Sequence, residues 1–170
     1  MTTVLNIAIL TISDTRTSAN DTSGDALAGL IAAAGHKLAA RAIVKDDVYL
    51  LRAQVSQWIA DPCIHAIITT GGTGFSRRDS TPEALIPLFD KQVEGFGEVF
   101  RAVSHKEIGS STVQSRAFAG IANAKGVFCL PGSTGACRTG WNAILKEQLD
   151  SDYKPCNFVG LFTGQGHHAG

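Results

Sequence analysis

Two acidic positions and three segments rich in glycine or hydroxyls carry the chemistry legible in this chain. The segments are Ser13-Asp14-Thr15-Arg16, Gly71-Gly72-Thr73-Gly74 and Pro131-Gly132-Ser133-Thr134. Each offers backbone N–H groups and side-chain oxygens of the kind that hold an anion, or else it is a tight turn that glycine makes at low steric cost. Gly71 to Gly74 has neither the GK[ST] ending of a phosphate-binding P-loop nor the GxGxxG dinucleotide spacing. Shortly after it the chain reads Arg77-Arg78-Asp79-Ser80-Thr81-Pro82. Arginines pair with phosphate, and a carboxylate beside a phosphate site calls for a bridging cation. Asp79 is therefore a candidate magnesium ligand, with helix capping near Thr81 as the alternative. Asp46 and Asp47 pose the same choice, because either is placed to cap a helix starting near Val48. Phosphoryl-group chemistry needs mainly positioning and a divalent metal, for which two separated acids and several glycine loops suffice. A nucleophilic triad has less support, since Ser133 lies in PGST and not in GxSxG.

These segments must be held by regular elements, and the apolar pattern supplies them. Leu5 to Ile12 is a compact, largely apolar run of strand length, and Ala66 to Thr70 is a shorter one that enters Gly71 directly. Leu38 to Val44, Ala117 to Ala122 and Val127 to Leu130 also read as strands, the last two around the turn Asn123 to Gly126. Asp25 to Ala34 carries Leu27, Leu30, Ile31 and Ala34 on one helical face. Leu51, Val55, Trp58 and Ile59 mark a second helix, stopped by Asp61-Pro62. Thr81-Pro82 reads as the N-cap and first residue of a third helix that buries Leu85, Ile86 and Phe89. Phe96, Val99, Phe100 and Val103 mark a fourth, and a final helix runs from about Ala136 to Leu149. Strands alternating with helices predict an α/β fold, a three-layer α/β/α sandwich around a mostly parallel sheet. In such a sheet ligands gather at the carboxyl ends of the strands, where all three polar segments fall.

Composition narrows the function classes. Of 170 residues, 18% are charged, with 15 Lys+Arg balancing 15 Asp+Glu. Such a chain has no net field for holding nucleic acid, and neither a basic stripe nor an aromatic platform is apparent. At 44% hydrophobic it is not a disordered chain. No apolar stretch approaches the roughly 18 residues of a membrane span, and the N-terminal run lacks a basic leader, so a cytoplasmic protein without a membrane partner is expected. Cys63, Cys129, Cys137 and Cys156 form no CxxC or zinc pattern and read as reduced thiols. One domain over 1–163 is expected, with 164–170, including His167 and His168, as a loose tail.

The ordered motifs resemble those of the MoaB/MogA family of molybdenum cofactor biosynthesis proteins, whose fold is shared with the gephyrin G domain. The likeness runs through Ile7-Ala8-Ile9-Leu10-Thr11-Ile12-Ser13-Asp14, Asp21-x-Ser23-Gly24, Thr69 to Gly74, Arg78-Asp79-x-Thr81-Pro82-Glu83 and Pro131-Gly132-Ser133. Glu94 to Arg101 and Gly132-Ser133-Thr134-x-Ala136-Cys137-Arg138 look most similar to the MoaB branch. So does Lys45, which stands where the V-P-D-E segment of other members has its proline.

The resemblance implies a fold of the molybdopterin-binding domain type and an activity: magnesium-dependent adenylylation of molybdopterin by ATP, with release of pyrophosphate. It implies that Gly71, Gly72, Thr73 and Gly74 cradle the nucleotide. Ser13, Asp14, Pro131, Gly132, Ser133 and Thr134 would line the joint substrate cleft. Asp79 and Asp46 fall on the family's acids and would act in catalysis and as metal ligands. A homo-oligomer, trimer or hexamer, is also implied, with Gly95 to Ile108 and the Ser110 region at its interface. The alternative is a non-catalytic molybdopterin-binding paralogue acting as carrier or regulator.

Overall fold

A computed structural model describes residues 2–165. Six strands form one sheet in the order β2-β1-β3-β6-β5-β4. They are β1 (Asn6–Ile12), β2 (Lys37–Val44), β3 (Ala66–Thr70), β4 (Lys91–Gln92), β5 (Phe118–Ala122) and β6 (Lys125–Leu130). β2, β1, β3 and β6 run parallel, whereas β5 is antiparallel to β6 and β4 to β5. The sheet is mostly parallel, as the sequence pattern predicts, and the hairpin adds an antiparallel edge.

Helices cover both faces, which is why the central strands are continuously apolar. Alternate residues of β1 feed two cores. Ile7 and Ile9 meet Leu27 and Ile31 of α1 (Thr22–Ala33), Phe96 and Phe100 of α4 (Glu94–Ile108), and Cys137 of α5 (Thr134–Gly140). Ala8, Leu10 and Ile12 meet Leu51, Val55 and Trp58 of α2 (Val48–Ala60) and Ala84 and Leu85 of α3 (Thr81–Leu85). The chain continues through α6 (Lys146–Gln148) and α7 (Val159–Thr163). No helix among the described residues is long and apolar enough to cross a membrane.

Several details depart from the sequence pattern. α3 ends at Leu85 and passes into a 3-10 turn, Ile86–Leu88, because Pro87 has no N–H to continue the helix. Its N-cap is Ser80, and Thr81 is the first helical residue. The last helix starts at Thr134, earlier than expected, and changes to π geometry over Trp141–Leu145. On α4 the buried face is Phe96, Gly97, Phe100 and Ser104, and Val99 is left exposed. The β5–β6 turn is centred on Asn123 and Ala124, both at positive φ (50° and 56°), with Lys125 and Gly126 already in β6. The two histidines of the expected C-terminal tail lie outside the described residues, which end at 165.

Candidate functional site

Because β1, β3 and β6 are parallel neighbours, their carboxyl ends deliver the three polar segments side by side. The chain leaves β1 for β2 on one side and returns to β3 on the other, so a crevice opens where the winding reverses. The segments are tied to one another. Gly71 N–H donates to Leu130 O at 3.0 Å, Thr70 Oγ1 to Pro131 O at 2.9 Å, and Ser23 Oγ to Gly132 O at 2.7 Å.

A cleft of about 430 Å³ lies over this junction. Its floor and one side are Ser13, Gly71, Gly72, Thr73, Gly74, Asp79, Pro131, Gly132 and Ser133. All of these are residues singled out from the sequence, and they share one cavity. Three others adjoin it without lining it. Thr134 Oγ1 lies 3.1 Å from Thr22 Oγ1. Asp14 forms a bidentate pair with Arg78, both contacts at 2.8 Å, and the Arg78 hydrogen bond draws its carboxyl below the usual range. Asp46 sits behind the glycine loop.

The two acids nonetheless converge on that loop. Gly72 has φ +69°, and a Cβ there would overlap Thr81 Oγ1 and stand 2.6 Å from Asp46 Oδ2. A Cβ on Gly74 would lie 2.7 Å from Asp79 Oδ2. Glycine is required at both places so that each carboxylate can press against the loop backbone. Asp47 settles the capping question: its Oδ1 accepts from Tyr49 N–H and Leu50 N–H, both at 2.9 Å, and caps α2. Asp46 is thereby spared and turns toward Ser80, whose N–H it accepts at 3.2 Å and whose hydroxyl it also accepts. Burial pushes the Asp46 carboxyl above its ordinary value against the Ser80 bonds, and the nearby charges of Asp79 and Asp14 push the same way. Asp79 accepts Ser76 N–H at 2.8 Å and gives no cap to α3.

Oxygen donors from two carboxylates suit a hard divalent cation such as magnesium, which commonly takes one or two carboxylates and completes its shell with water and substrate phosphates. Among the described residues there is no group of three or more His, Cys, Asp or Glu side chains placed to hold a metal by themselves. The donor set thus fits a cation shared with a phosphate ligand.

The opposite wall comes from α4 and the 3-10 segment Gly109–Gln114, through Phe100, Ser104, Ile108, Ser111, Gln114 and Ser115. A polar joint is evident there in the sequence, but nothing in the spacing says that it folds over the glycine loop. The Ser115 hydroxyl is buried without a hydrogen-bond partner, as a group awaiting a ligand or water would be. Arg16 and Asp21 also reach the cleft. Burial alone would raise the Asp21 carboxyl, but bonds from Arg41, Thr11 and Gly24 N–H outweigh it and hold the group below the usual range. Arg138, by contrast, lies beside Glu107 in a separate surface groove.

The family described as "Probable molybdopterin binding domain" matches residues 8–151, which contain every residue lining this cleft. The chain belongs to that family, in its MoaB/MogA group. It is 55% identical over 152 residues to molybdenum cofactor biosynthesis protein B of Escherichia coli K12, covering 89% of each chain. A crystal structure of a molybdenum cofactor biosynthesis protein B superimposes with a TM-score of 0.86 at 40% identity, covering 96% of both chains. The tungsten cofactor synthesizing MoaB of Pyrococcus furiosus gives 0.71 at 36% identity, covering 85% of this chain and 92% of its own. The function of this MoaB/MogA-type chain accordingly lies in molybdenum cofactor biosynthesis.

Proposed function

We propose that the protein adenylylates molybdopterin, using ATP and magnesium. The observation that carries this reading is the meeting of Asp46 and Asp79 on Gly72 and Gly74, beside a cleft with a second polar wall. In the proposed reaction an oxygen of the pterin phosphate attacks the α-phosphorus of ATP, the bond from that phosphorus to the β-bridging oxygen breaks, and pyrophosphate leaves. Backbone N–H groups of the glycine loop hold the nucleotide phosphates, and Arg16 adds positive charge at the cleft edge. Asp79, with Asp46 behind the glycine loop, would hold the cation, and magnesium held there would supply positive charge to the phosphate oxygens. Ser13 and the Pro131–Ser133 turn position the pterin phosphate for in-line attack.

Asp79→Asn is expected to leave the fold intact and to lower pyrophosphate release by about 10²-fold or more, the scale of losing one electrostatic contact in a transition state. Release is expected only with molybdopterin, ATP and magnesium together. The place of Asp46 behind Gly72, outside the cleft lining, favours a second reading, a pterin-binding carrier or regulator. Binding of molybdopterin with no pyrophosphate release by the intact protein would establish that reading instead.

A homo-oligomer, trimer or hexamer, belongs to the same proposal. Val99 and Ile108 of α4 and Val113 after it, exposed by 47%, 55% and 72%, are apolar side chains left at the surface, and they support it.

A further inference from the structure

Arg116 lies between the 3-10 segment and β5. Its backbone N–H donates to Thr73 O at 3.0 Å. Its side chain then takes partners spread from Gly74 in the loop to Glu83 in the first turn of α3. Nε–H donates to Gly74 O at 2.9 Å, Nη2 to Asp79 O at 3.1 Å, and Nη1 to the Glu83 carboxylate. The guanidinium carbon lies 5.1 Å from the centre of the Phe75 ring, which is otherwise 68% exposed. A planar cation with several divergent N–H groups can serve all these partners at once, and a lysine ammonium cannot.

We propose that Arg116 is the positioning residue of the phosphate loop: it splints residues 73 to 83 so that Gly74 and Asp79 are held in the geometry the reaction needs. The inference that this matters to adenylyl transfer rests on the function proposed above. The splint itself does not. Within the loop, Asp79 N–H donates to Ser76 O, Thr81 N–H to Gly72 O and Ser80 N–H to Asp46 Oδ1. These amides report on loop closure independently of any substrate. Glu83 is the counter-ion, and the Arg116 bonds outweigh its burial to hold its carboxyl below the usual range.

The test is amide hydrogen exchange on the full-length protein, wild type beside Arg116→Ala and Arg116→Lys, with pyrophosphate release measured in parallel. In Arg116→Ala the amides of Ser76, Asp79, Ser80 and Thr81 are expected to exchange about ten-fold faster or more, while those of β1, β3 and β6 keep their wild-type rates. kcat is expected to fall with KM for molybdopterin unchanged, and Arg116→Lys to restore neither kcat nor the wild-type exchange rates of the loop. Wild-type exchange in the loop overturns the proposal. So does equal acceleration in loop and sheet, which is general destabilisation, and so does full rescue by lysine, which is charge alone. If the wild type releases no pyrophosphate, the adenylylation reading fails and the exchange rates alone decide for or against the splint.

Discussion

At Asp46 a carboxylate is held where water scarcely reaches, next to two other acids, and its raised proton affinity is the physical mark of that strain. A carboxyl whose folded-state pKa is raised costs stability once pH exceeds its unfolded value, and the cost grows until pH passes the folded value. Asp46→Asn keeps an oxygen for the Ser80 bonds and removes the charge. It is expected to melt at or above the wild-type temperature at pH 7.5, while magnesium-nucleotide affinity falls about 10- to 100-fold, as checked by calorimetry in titration and scanning modes. A lower melting temperature would mean that the carboxylate is structural. At this scale the sequence is informative about type and silent about geometry. Asp79 and the glycines stand out by type, as candidates for holding a phosphate ligand, and they do share one site. Nothing in Asp46-Asp47 tells which one caps α2, because both satisfy the local rule and only the approach of Ser80 separates them. Arg116 carries no local mark of a positioning residue, because its partners at 74, 79 and 83 come together only through the tertiary fold.

Elements are legible in the sequence where one physical cause dominates. β1 and β3 are apolar on both faces because helices cover both faces, and a run of that kind stands out in any sequence. Where two causes compete, the pattern misleads. The apolar face of the last helix runs on through Trp141, Ile144 and Leu145, so its pattern alone does not betray the π turn. Pro87 ends α3 although the apolar spacing continues to Phe89, which instead packs on Phe118 with ring centres 5.9 Å apart. The β5–β6 hairpin holds a similar compromise: Ala124 occupies left-handed backbone at φ 56°, where a Cβ is penalised. Asn123 beside it is anchored by its side chain to Ile59 O at 2.9 Å and by its N–H to Asp90 at 2.8 Å, and that anchoring fixes the turn. Ala124→Gly is therefore expected to stabilise the protein by about 1 kcal/mol in urea unfolding, leaving activity unchanged. Destabilisation would show that the entropy of the added glycine outweighs the relieved strain.

Over the whole molecule, the end of the sheet opposite the cleft is closed by two histidines. His36 Nδ1 accepts Leu5 N–H at 3.2 Å, and His65 Nδ1 accepts Asn6 N–H at 2.9 Å. Burial lowers the proton affinity of both rings, and in His65 the charge of Lys125 adds to it. Their neutral forms contribute stability that is complete above the ordinary histidine value of about 6.5 and is lost as pH falls from there toward the lowered folded values. The melting temperature is expected to drop between pH 7 and pH 5, and His36→Gln to flatten that slope; an unchanged slope would remove His36 from the account. At the other end, the hydrogen-bond ladder does not stop where the strands do. Gly71 N–H still meets Leu130 O, and Thr70, Ser23 and the carbonyls of Pro131 and Gly132 carry the bonding into the turns. The ligand-facing backbone is therefore an extension of the sheet, and its ordering is completed during folding. In the reaction proposed above, substrates arriving there would meet walls that need little rearrangement, so the ordering of the loop backbone would not be charged against their binding.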